Sequence, residues 1–419
     1  MFKLIFISFS FKRGGAGIAA SKFKNLLTGN PSSFSPSVLS QDEAGRFQFS
    51  KRIVSFALSK LQFDGNPIKH SLNLFSYPPV IKKFKAEPES LYHLHWFNND
   101  TLSVFDLDKI PAGSMITLHD EWIYCGAEHC YKVLDDTDCF QHGYSFFKKG
   151  VYGLHWNYII WRIKQLKLSH RSDLIYTVPS RWMLARAQAS LILKNADVRY
   201  LPNPIDTGLF NLASVDKITE FRNRYSFEGA DIVFAYGAVG GRKNFLKGHH
   251  HLDEALGILR RYISPSLAGK VKFVEFGGEP SKTTVHGFDC VSVGHIKDPV
   301  ELSLLYASVD CVVVPSMVES FGQVAAEALA CGTPVVSFDT SGLKDIVLHE
   351  QTGLVAEAFS PESFAQNMLK IIEMAPEKRK ALGLNGRAHV ESTFSFPVVS
   401  QQYLEIIKDA VELKKSSHV

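Results

Sequence analysis

The chain has 419 residues, of which 45% are hydrophobic and 21% are charged. This composition predicts a folded protein and excludes a disordered one, and the length favours two domains over a single hydrophobic core. The formal net charge of +4 is too small to indicate a partner nucleic acid. No apolar run approaches the roughly 20 residues that cross a bilayer, so we expect a cytoplasmic protein.

The chain opens with the apolar run Met1–Phe11, and Lys12 and Arg13 follow it. Because no small-residue cleavage pattern follows, we interpret this run as a buried first strand and not as a secretion signal. A helix is predicted over Ile18–Leu27, after which Asn30–Ser37 is interpreted as a polar loop. The other strands predicted in this half are Leu91–Trp96, Ser114–Leu118, Leu174–Thr177 and Val198–Leu201, and Ser180 is the predicted N-cap of a helix over Trp182–Leu193.

Two prolines flank Asn203 at the middle of the chain, and they predict a stiff connection between domains. A second alternating series of strands and helices follows, which is typical of βαβ units and parallel sheets. The strands predicted in it are Ile232–Tyr236, Val271–Phe276, Cys290–Val293, Cys311–Val314, Pro334–Phe338 and Gly353–Val355. We therefore predict an α/β protein with two Rossmann-like domains, residues 1–203 and 204–395, whose sheets face a cleft. The last segment, residues 396–419, is predicted to be an amphipathic helix that packs back on the first domain.

Two strand ends of the first half carry residues that suit a binding site. Gly14-Gly15-Ala16-Gly17 follows the first strand, and its glycines would let backbone N–H groups approach a phosphate. A plain tight turn explains this motif equally well. Thr117-Leu118-His119-Asp120 closes another strand, and His93 and His95 alternate on the strand before it. A histidine at a strand end can contact a ligand, although an isolated histidine is more often structural.

A basic, glycine-rich loop follows the first strand of the second half. It reads Gly237-Ala-Val-Gly-Gly-Arg242-Lys243-Asn-Phe-Leu-Lys247-Gly248. Arg242 and Lys247, five positions apart, can neutralise the charge that grows on a departing diphosphate. The alternative is a solvated basic turn.

The most informative segment runs from Val312 to Val336. A β-branched run enters a turn that holds Glu319, a helix opens near Phe321, and Glu327 follows eight positions after Glu319. Free N–H groups at the start of a helix bind anions, and carboxylates on either side of them can hold hydroxyl groups. A nucleotide sugar presents a sugar, a diphosphate and a ribose in that order.

This segment resembles the E-x7-E signature of retaining glycosyltransferases of the GT-B fold, those of family four, and the strand-end histidines resemble the branch that builds bacterial surface polysaccharides. The resemblance implies that Glu319 holds the donor sugar, that Glu327 holds the ribose, and that His119 contacts the donor sugar and the acceptor. The other residues that it assigns to donor binding are Gly15, Phe321, Gly322, Gln323, Val324 and Ile296.

The resemblance further implies a metal-independent, retaining transfer of a sugar to a glycan or lipid-linked saccharide, with no cofactor. Arg242 and Lys247 would stabilise the leaving diphosphate. Two rival hypotheses stay open: a sugar-nucleotide epimerase of the same fold, and a nucleotide-sugar-binding partner protein without turnover. Release of nucleoside diphosphate only when an acceptor is present separates the three.

Two features of the first half stay ambiguous. Lysines and arginines cluster there beside aromatic and aliphatic residues, which suits peripheral contact with an anionic membrane or a phosphorylated acceptor, but equally suits solvated faces. Cys125, Cys130 and Cys139 are spaced unlike a zinc ribbon. Reduced thiols are the favoured interpretation of these cysteines, and a structural metal is the alternative.

Overall fold

A computed structural model describes residues 2–28, 34–66, 70–130, 138–147, 149–229, 231–237 and 244–416. The chain divides into a first unit, residues 1–203 with 399–419, and a second unit, residues 204–398. Each unit has its own parallel sheet, which agrees with the α/β class predicted from the alternating pattern.

The first unit contains eight strands among its described residues, six of them in one sheet. The strands are β1 (Phe2–Ile7), β2 (Phe34–Leu39), β3 (Gln62–Phe63), β4 (Leu91–His95), β5 (Met115–Thr117), β6 (Tyr152–Gly153), β7 (Ile175–Val178) and β8 (Asp197–Tyr200). The main sheet has the order β2-β1-β4-β5-β7-β8, with every neighbouring pair parallel. Strands β3 and β6 form a separate antiparallel pair.

The helices of the first unit lie between these strands. They are α1 (Gly14–Thr28), α2 (Arg46–Ser59), α3 (Pro78–Ala86), α4 (Cys139–His142), α5 (Trp156–Leu168) and α6 (Arg181–Ala189). Ser180 caps α6 as predicted, since its hydroxyl accepts a hydrogen bond from Met183 N at 3.2 Å. The helix ends at Ala189, four residues before the predicted end at Leu193. The sequence pattern did not predict α2, whose buried residues are polar.

Two predictions for the first unit are wrong. Asn30–Ser37 was interpreted as a loop, yet Phe34–Leu39 forms the edge strand β2 beside β1. An edge strand tolerates a proline such as Pro36, because one side of it needs no backbone donor. The predicted turn Gly14–Gly17 is the first turn of α1, which therefore begins four residues earlier than Ile18.

The second unit carries a seven-stranded sheet. Its strands are β9 (Ile232–Gly237), β10 (Val271–Phe276), β11 (Ser281–Val285), β12 (Phe288–Gly294), β13 (Cys311–Val314), β14 (Val335–Phe338) and β15 (Gly353–Ala356). Their order is β11-β12-β10-β9-β13-β14-β15, and only β11 runs antiparallel to its neighbour. Alternate residues of the central strands enter two separate hydrophobic clusters, so both faces of the sheet are covered.

The remaining helices follow the second series of strands. They are α7 (Val215–Arg224), α8 (His249–Tyr262), α9 (Pro265–Ala268), α10 (Pro299–Ala307), α11 (Gln323–Ala330), α12 (Leu343–Ile346), α13 (Pro361–Glu373), α14 (Pro376–Thr393) and α15 (Phe396–Ser416). From Val399 onward, α15 belongs to the first unit. Tyr403 on this helix donates or accepts a 2.7 Å hydrogen bond with Nδ1 of His93 in β4.

Candidate active site

Glu319 lies in the loop that connects β13 to α11. Its main chain is fixed on both sides, because Glu319 N donates to Ser341 Oγ at 2.8 Å and Gly342 N donates to Glu319 O at 2.9 Å. A Cβ on Gly342 would lie within 2.8 Å of the carbonyl oxygens of residues 319, 320 and 321. Ser341 and Gly342 therefore shape the loop, and neither was among the predicted site residues. The Ser-Gly turn after a buried strand was the available signal.

Lys247 forms an ion pair with Glu319, with 2.5 Å between Lys247 Nζ and Glu319 Oε1. Lys247 ends a short 3-10 turn, and both side chains are partly exposed. The sequence analysis assigned Lys247 and Glu319 to two different motifs of one predicted site. The structure brings the charged groups of these two residues into contact. A cation and a carboxylate at this distance can bind a phosphate oxygen and a hydroxyl group side by side.

The loop that carries Lys247 is tied to the loop that carries Glu319. Met317 N donates to Leu246 O at 2.8 Å, and Gly248 backs against Pro315. Gly248 has a φ of 68°, and a Cβ there would lie 1.8 Å from the Pro315 carbonyl oxygen. Only glycine fits that approach, so Gly248 fixes the position of Lys247 relative to the β13 loop.

The start of α11 is held by Phe321 and Gly322. Phe321 is buried, and its ring packs edge-on against Phe394 at a centroid distance of 5.4 Å. Gly322 adopts a φ of 112°, and a Cβ there would meet Leu343 Cδ2 at 2.9 Å. The helix begins at the next residue, so the first N–H groups of α11, including those of Gln323 and Val324, lack partners within the helix.

Glu327 lies one turn into α11 and is almost buried. Gln323 Nε2 donates to Glu327 Oε1 at 2.6 Å, which orients the carboxylate from the preceding turn. Glu327 and Glu319 thus both belong to the segment around the start of α11. Gln323 was predicted for its main-chain N–H, and its side chain contributes this second contact.

The described residues include predicted Ile296 but not predicted Arg242. Ile296 follows β12 by two residues, and its half-buried side chain packs against the hydrophobic core of the second unit. Arg242 lies in residues 238–243, outside the described residues, so its predicted role stays a prediction.

His119 follows β5 in the first unit and belongs to a row of three histidines. His119 Nε2 and His95 Nδ1 are 2.9 Å apart, and the rings of His95 and His93 are 4.0 Å apart. His93 Nε2 bonds Thr117 Oγ1 at 2.7 Å. Nε2 of His95 is buried and has no hydrogen-bond partner among the described residues.

Burial keeps these histidines neutral. It lowers the pKa of His119 to about 4 and that of His93 to about 3, and it depresses the pKa of His95 as well. At neutral pH His119 therefore offers an uncharged imidazole, which can donate or accept one hydrogen bond but brings no positive charge.

Asp120 anchors the loop after His119. It accepts hydrogen bonds from Trp96 Nε1 and His129 Nδ1, each at 2.6 Å, and from Trp122 N at 3.0 Å. Burial alone would raise the pKa of Asp120. The charge of His129 and the hydrogen bonds from these donors outweigh burial, so the pKa of Asp120 lies below its usual range. Asp120 acts as a fixed carboxylate that holds the His119 loop in place.

Gly15 and Gly17 have different roles at the start of α1. A Cβ on Gly15 would meet nothing within 4 Å, so this position is open to a ligand. A Cβ on Gly17 would lie 2.5 Å from Ser10 O, so Gly17 is needed for packing. Asp42, which the sequence analysis missed, holds the preceding loop by accepting from Ser10 Oγ at 2.5 Å and Phe11 N at 3.0 Å.

The cysteines of the first unit are free thiols. Cys125 and Cys130 are buried, and Cys139 is partly buried. Burial raises the pKa of both buried thiols. Within the described parts of the chain, which exclude residues 131–137, no three His, Cys, Asp or Glu side chains are grouped closely enough to hold a metal ion. In those same parts, no helix combines the length and apolarity of a membrane span.

These sheets and loops define an α/β protein with two Rossmann-like units, and in the second unit the start of α11 lies beside Glu319. Solved structures with the same architecture span nearly the whole chain. Sucrose-phosphate synthase from Thermosynechococcus elongatus superposes with a TM-score of 0.66 at 18% identity, covering 98% of this chain and 99% of that chain. Anabaena Alr3699/HepE in complex with UDP-glucose gives 0.62 at 17% identity, covering 98% and 100%. The chain therefore has the GT-B fold.

Residues 219–389 match the family model of glycosyl transferases group 1. A D-inositol 3-phosphate glycosyltransferase of Salinispora tropica is 31% identical over 186 residues, which is 42% of this chain and 38% of that protein. The chain spans less than half the length of this relative. The matched family confirms the resemblance that the Glu319 and Glu327 segment indicated.

Proposed function

We propose that this chain is a retaining, metal-independent glycosyltransferase that moves a sugar from a nucleotide-diphospho-sugar to a glycan or lipid-linked saccharide. The contact between Lys247 and Glu319 beside the start of α11 carries the proposal. It joins one group suited to a phosphate and one suited to a sugar hydroxyl. That HepE was solved with UDP-glucose supports a nucleotide-sugar donor.

The donor is assigned to the second unit. Lys247, with Arg242, neutralises the diphosphate as its bond to the anomeric carbon breaks. Glu319 accepts hydrogen bonds from the sugar hydroxyls, and Glu327 accepts them from the ribose. The N–H groups at Phe321–Val324 face phosphate and sugar oxygens, and main-chain atoms near Ile296 hold the base.

The acceptor is assigned to the first unit, where Gly15 also borders the diphosphate. The acceptor oxygen forms a bond to the anomeric carbon on the face that the diphosphate leaves, and its proton passes to the departing phosphate oxygen. Configuration is thereby retained without a covalent enzyme intermediate. Neutral His119 contributes a hydrogen bond to the sugar or acceptor, since its pKa of about 4 leaves it uncharged.

We propose two classes of acceptor, with the favoured class given first. The strand-end histidines resemble the surface-polysaccharide branch, which favours a lipid-linked saccharide presented at the inner face of a membrane to a cytoplasmic enzyme. The Salinispora relative is named for inositol 3-phosphate, which supports a phosphorylated polyol as the second candidate. The lysines and arginines of the first half suit both.

The test has two stages. A panel of UDP- and GDP-sugars is screened by thermal shift, because a ligand that binds the folded state raises its melting temperature. The best donor is then incubated with lipid-linked saccharides or inositol phosphates, with and without EDTA. Acceptor-dependent release of nucleoside diphosphate that EDTA leaves unchanged supports the proposal. Conversion of the donor without acceptor supports the epimerase, binding without turnover supports the partner protein, and a manganese requirement overturns the metal-free mechanism.

A further inference from the structure

Helix α2 is attached to the first unit by its polar side. Its buried residues are Gln48, Ser55 and Ser59, whose spacings of seven and four place them on one side of a helix. Gln48 Nε2 donates to Asp100 O at 2.7 Å, and Ser55 Oγ donates to Asp100 Oδ1 at 2.9 Å. Ser55 and Ser59 also line a cavity of about 290 Å³, together with Arg52 and Phe56.

The rest of the α2 surface is largely apolar and open to solvent. Phe49, Ile53 and Phe56 follow one another at spacings of four and three, and they are 55%, 51% and 63% exposed. Phe47 is 74% exposed. A helix on a soluble protein normally buries its apolar stripe and exposes its polar one, so the orientation of α2 is inverted. An apolar surface of this kind marks an interaction site.

The apolar surface continues from α2 onto the small β3–β6 sheet. Leu154 N donates to Leu61 O at 2.8 Å, and Trp156 Nε1 donates to Leu58 O at 2.7 Å, which holds that sheet against the end of the helix. Phe63 and Tyr152, paired across the sheet, are both exposed. We call the exposed side chains of α2 and of this sheet the α2 face.

The charges on α2 select the kind of partner. From Arg46 to Lys60 the sequence holds four cations and no acidic residue. Lys51 and Arg52 border the apolar stripe, with their charged groups 4.8 Å from the Phe47 ring and 5.3 Å from the Phe49 ring. Both charged groups therefore lie over aromatic rings, and that of Arg52 is also 5.3 Å from the Phe9 ring. This is the arrangement of a helix that lies in the interface of an anionic bilayer.

We propose that the α2 face docks the first unit on an anionic lipid surface, with Phe49, Ile53 and Phe56 entering the headgroup boundary and the flanking cations contacting lipid phosphates. The inference deepens the proposed function, since it assigns the surface that would bring the enzyme to a lipid-linked acceptor. Its test uses lipid binding alone, so its outcome does not depend on finding the correct donor or acceptor.

The experiment is co-sedimentation of the full chain with vesicles of phosphatidylcholine, with or without phosphatidylglycerol. The wild type is expected to bind the anionic vesicles and to be released by salt. F49S/F56S should lower the partition coefficient at least tenfold. The matched control is V215S/V300S, which removes two exposed apolar residues from the second unit and should stay within twofold of the wild type.

A second pair of variants tests the charges. R46E/K60E should weaken binding to anionic vesicles, while K378E/K380E, the same change on exposed lysines of α14, should not. Circular dichroism and the midpoint of thermal unfolding confirm that each variant is folded. Equal binding to both vesicle types, or unchanged binding by F49S/F56S, overturns the proposal. So does a wild-type dimer in light scattering that F49S/F56S converts to a monomer, because the α2 face would then bind a second copy.

Discussion

Lys247 Nζ and Glu319 Oε1 lie 2.5 Å apart, although 72 positions separate the two residues in the chain. The contact depends on two backbone features. Gly248 lets the Lys247 turn approach Pro315, and Ser341 with Gly342 holds the Glu319 main chain from the other side. The proposed phosphate-binding cation and the proposed hydroxyl-binding carboxylate are therefore held beside each other by the backbone of their two loops.

Glu319→Gln should separate binding from transfer. The amide keeps the shape of the side chain but lacks the charge that strengthens hydrogen bonds to sugar hydroxyls. We expect the transfer rate to fall about 100-fold or more, while the affinity for nucleoside diphosphate stays nearly the same. Single-turnover transfer and calorimetric titration of the diphosphate measure the two quantities. Glu373→Gln, on an exposed glutamate of α13, is the control, and a Glu319 variant with undiminished turnover would show that the site is misassigned.

Lys247→Ala should weaken both binding and transfer. The substitution removes a cation from the diphosphate in the ground state and in the transition state, and it leaves the Glu319 carboxylate without its ion-pair partner. A lost charge-assisted hydrogen bond costs roughly 1.5–3 kcal/mol, which corresponds to a loss of diphosphate affinity of about 10- to 100-fold. The same titration measures it, with exposed Lys370→Ala as the control. Unchanged diphosphate affinity would remove Lys247 from the site.

Gly248→Ala should destabilise the second unit. The residue has a φ of 68°, and an added Cβ would lie 1.8 Å from Pro315 O, so the backbone must move. The left-handed conformation alone costs roughly 1–2 kcal/mol in a residue with a side chain, and the displacement adds to it. Thermal unfolding of the full chain should show a lower midpoint for the transition of this unit.

Gly269→Ala provides the matched control for that variant. Gly269 has a φ of −62°, and its nearest contacts for an added Cβ are at 3.6 Å, so alanine fits there. The two alanine variants should therefore differ clearly in melting temperature. If both melt like the wild type, the contact between Gly248 and Pro315 does not constrain the loop.

The sequence predicted most strands and helices that are covered on both sides. Val271–Phe276 and Cys311–Val314 were predicted with their observed limits, because a continuous apolar run ended by turn residues is a strong signal for a buried parallel strand. Edge and inverted elements were missed. Strand β2 contains Pro36 and is only partly covered, and α2 buries serines instead of apolar residues.

For a similar reason, the sequence predicted some residues of the candidate site and not the residues that support them. The predicted residues belong to motifs with a fixed spacing, and such a spacing is visible in a single sequence. These residues are Glu319, Glu327 and Lys247. Ser341 and Asp42, each within its own unit, hold loops through side-chain hydrogen bonds to segments that are distant in the sequence. Such contacts depend on tertiary packing and leave no periodic pattern. The contact of Tyr403 with His93, which spans 310 positions, is likewise set by the fold alone.

His119 should make the stability of the first unit depend on pH. Its pKa is lowered to about 4 by burial, while an unfolded histidine has a pKa of about 6.5. Between these values the unfolded chain binds the proton and the folded chain does not. The free energy of unfolding is therefore highest above about pH 6.5 and falls as the pH drops towards 4, by about 2 kcal/mol between pH 7.5 and pH 5 for this residue.

His119→Gln removes that titration while keeping a side chain that can bond His95. The melting temperature of the variant should consequently fall less than that of the wild type between pH 7.5 and pH 5, and part of the dependence should remain because the pKa values of His93 and His95 are lowered too. His170→Gln, on an exposed histidine, should keep the full pH dependence. Equal pH dependence in all three proteins would mean that His119 is not buried as a neutral imidazole, and its proposed role as an uncharged hydrogen-bonding group would fail with it.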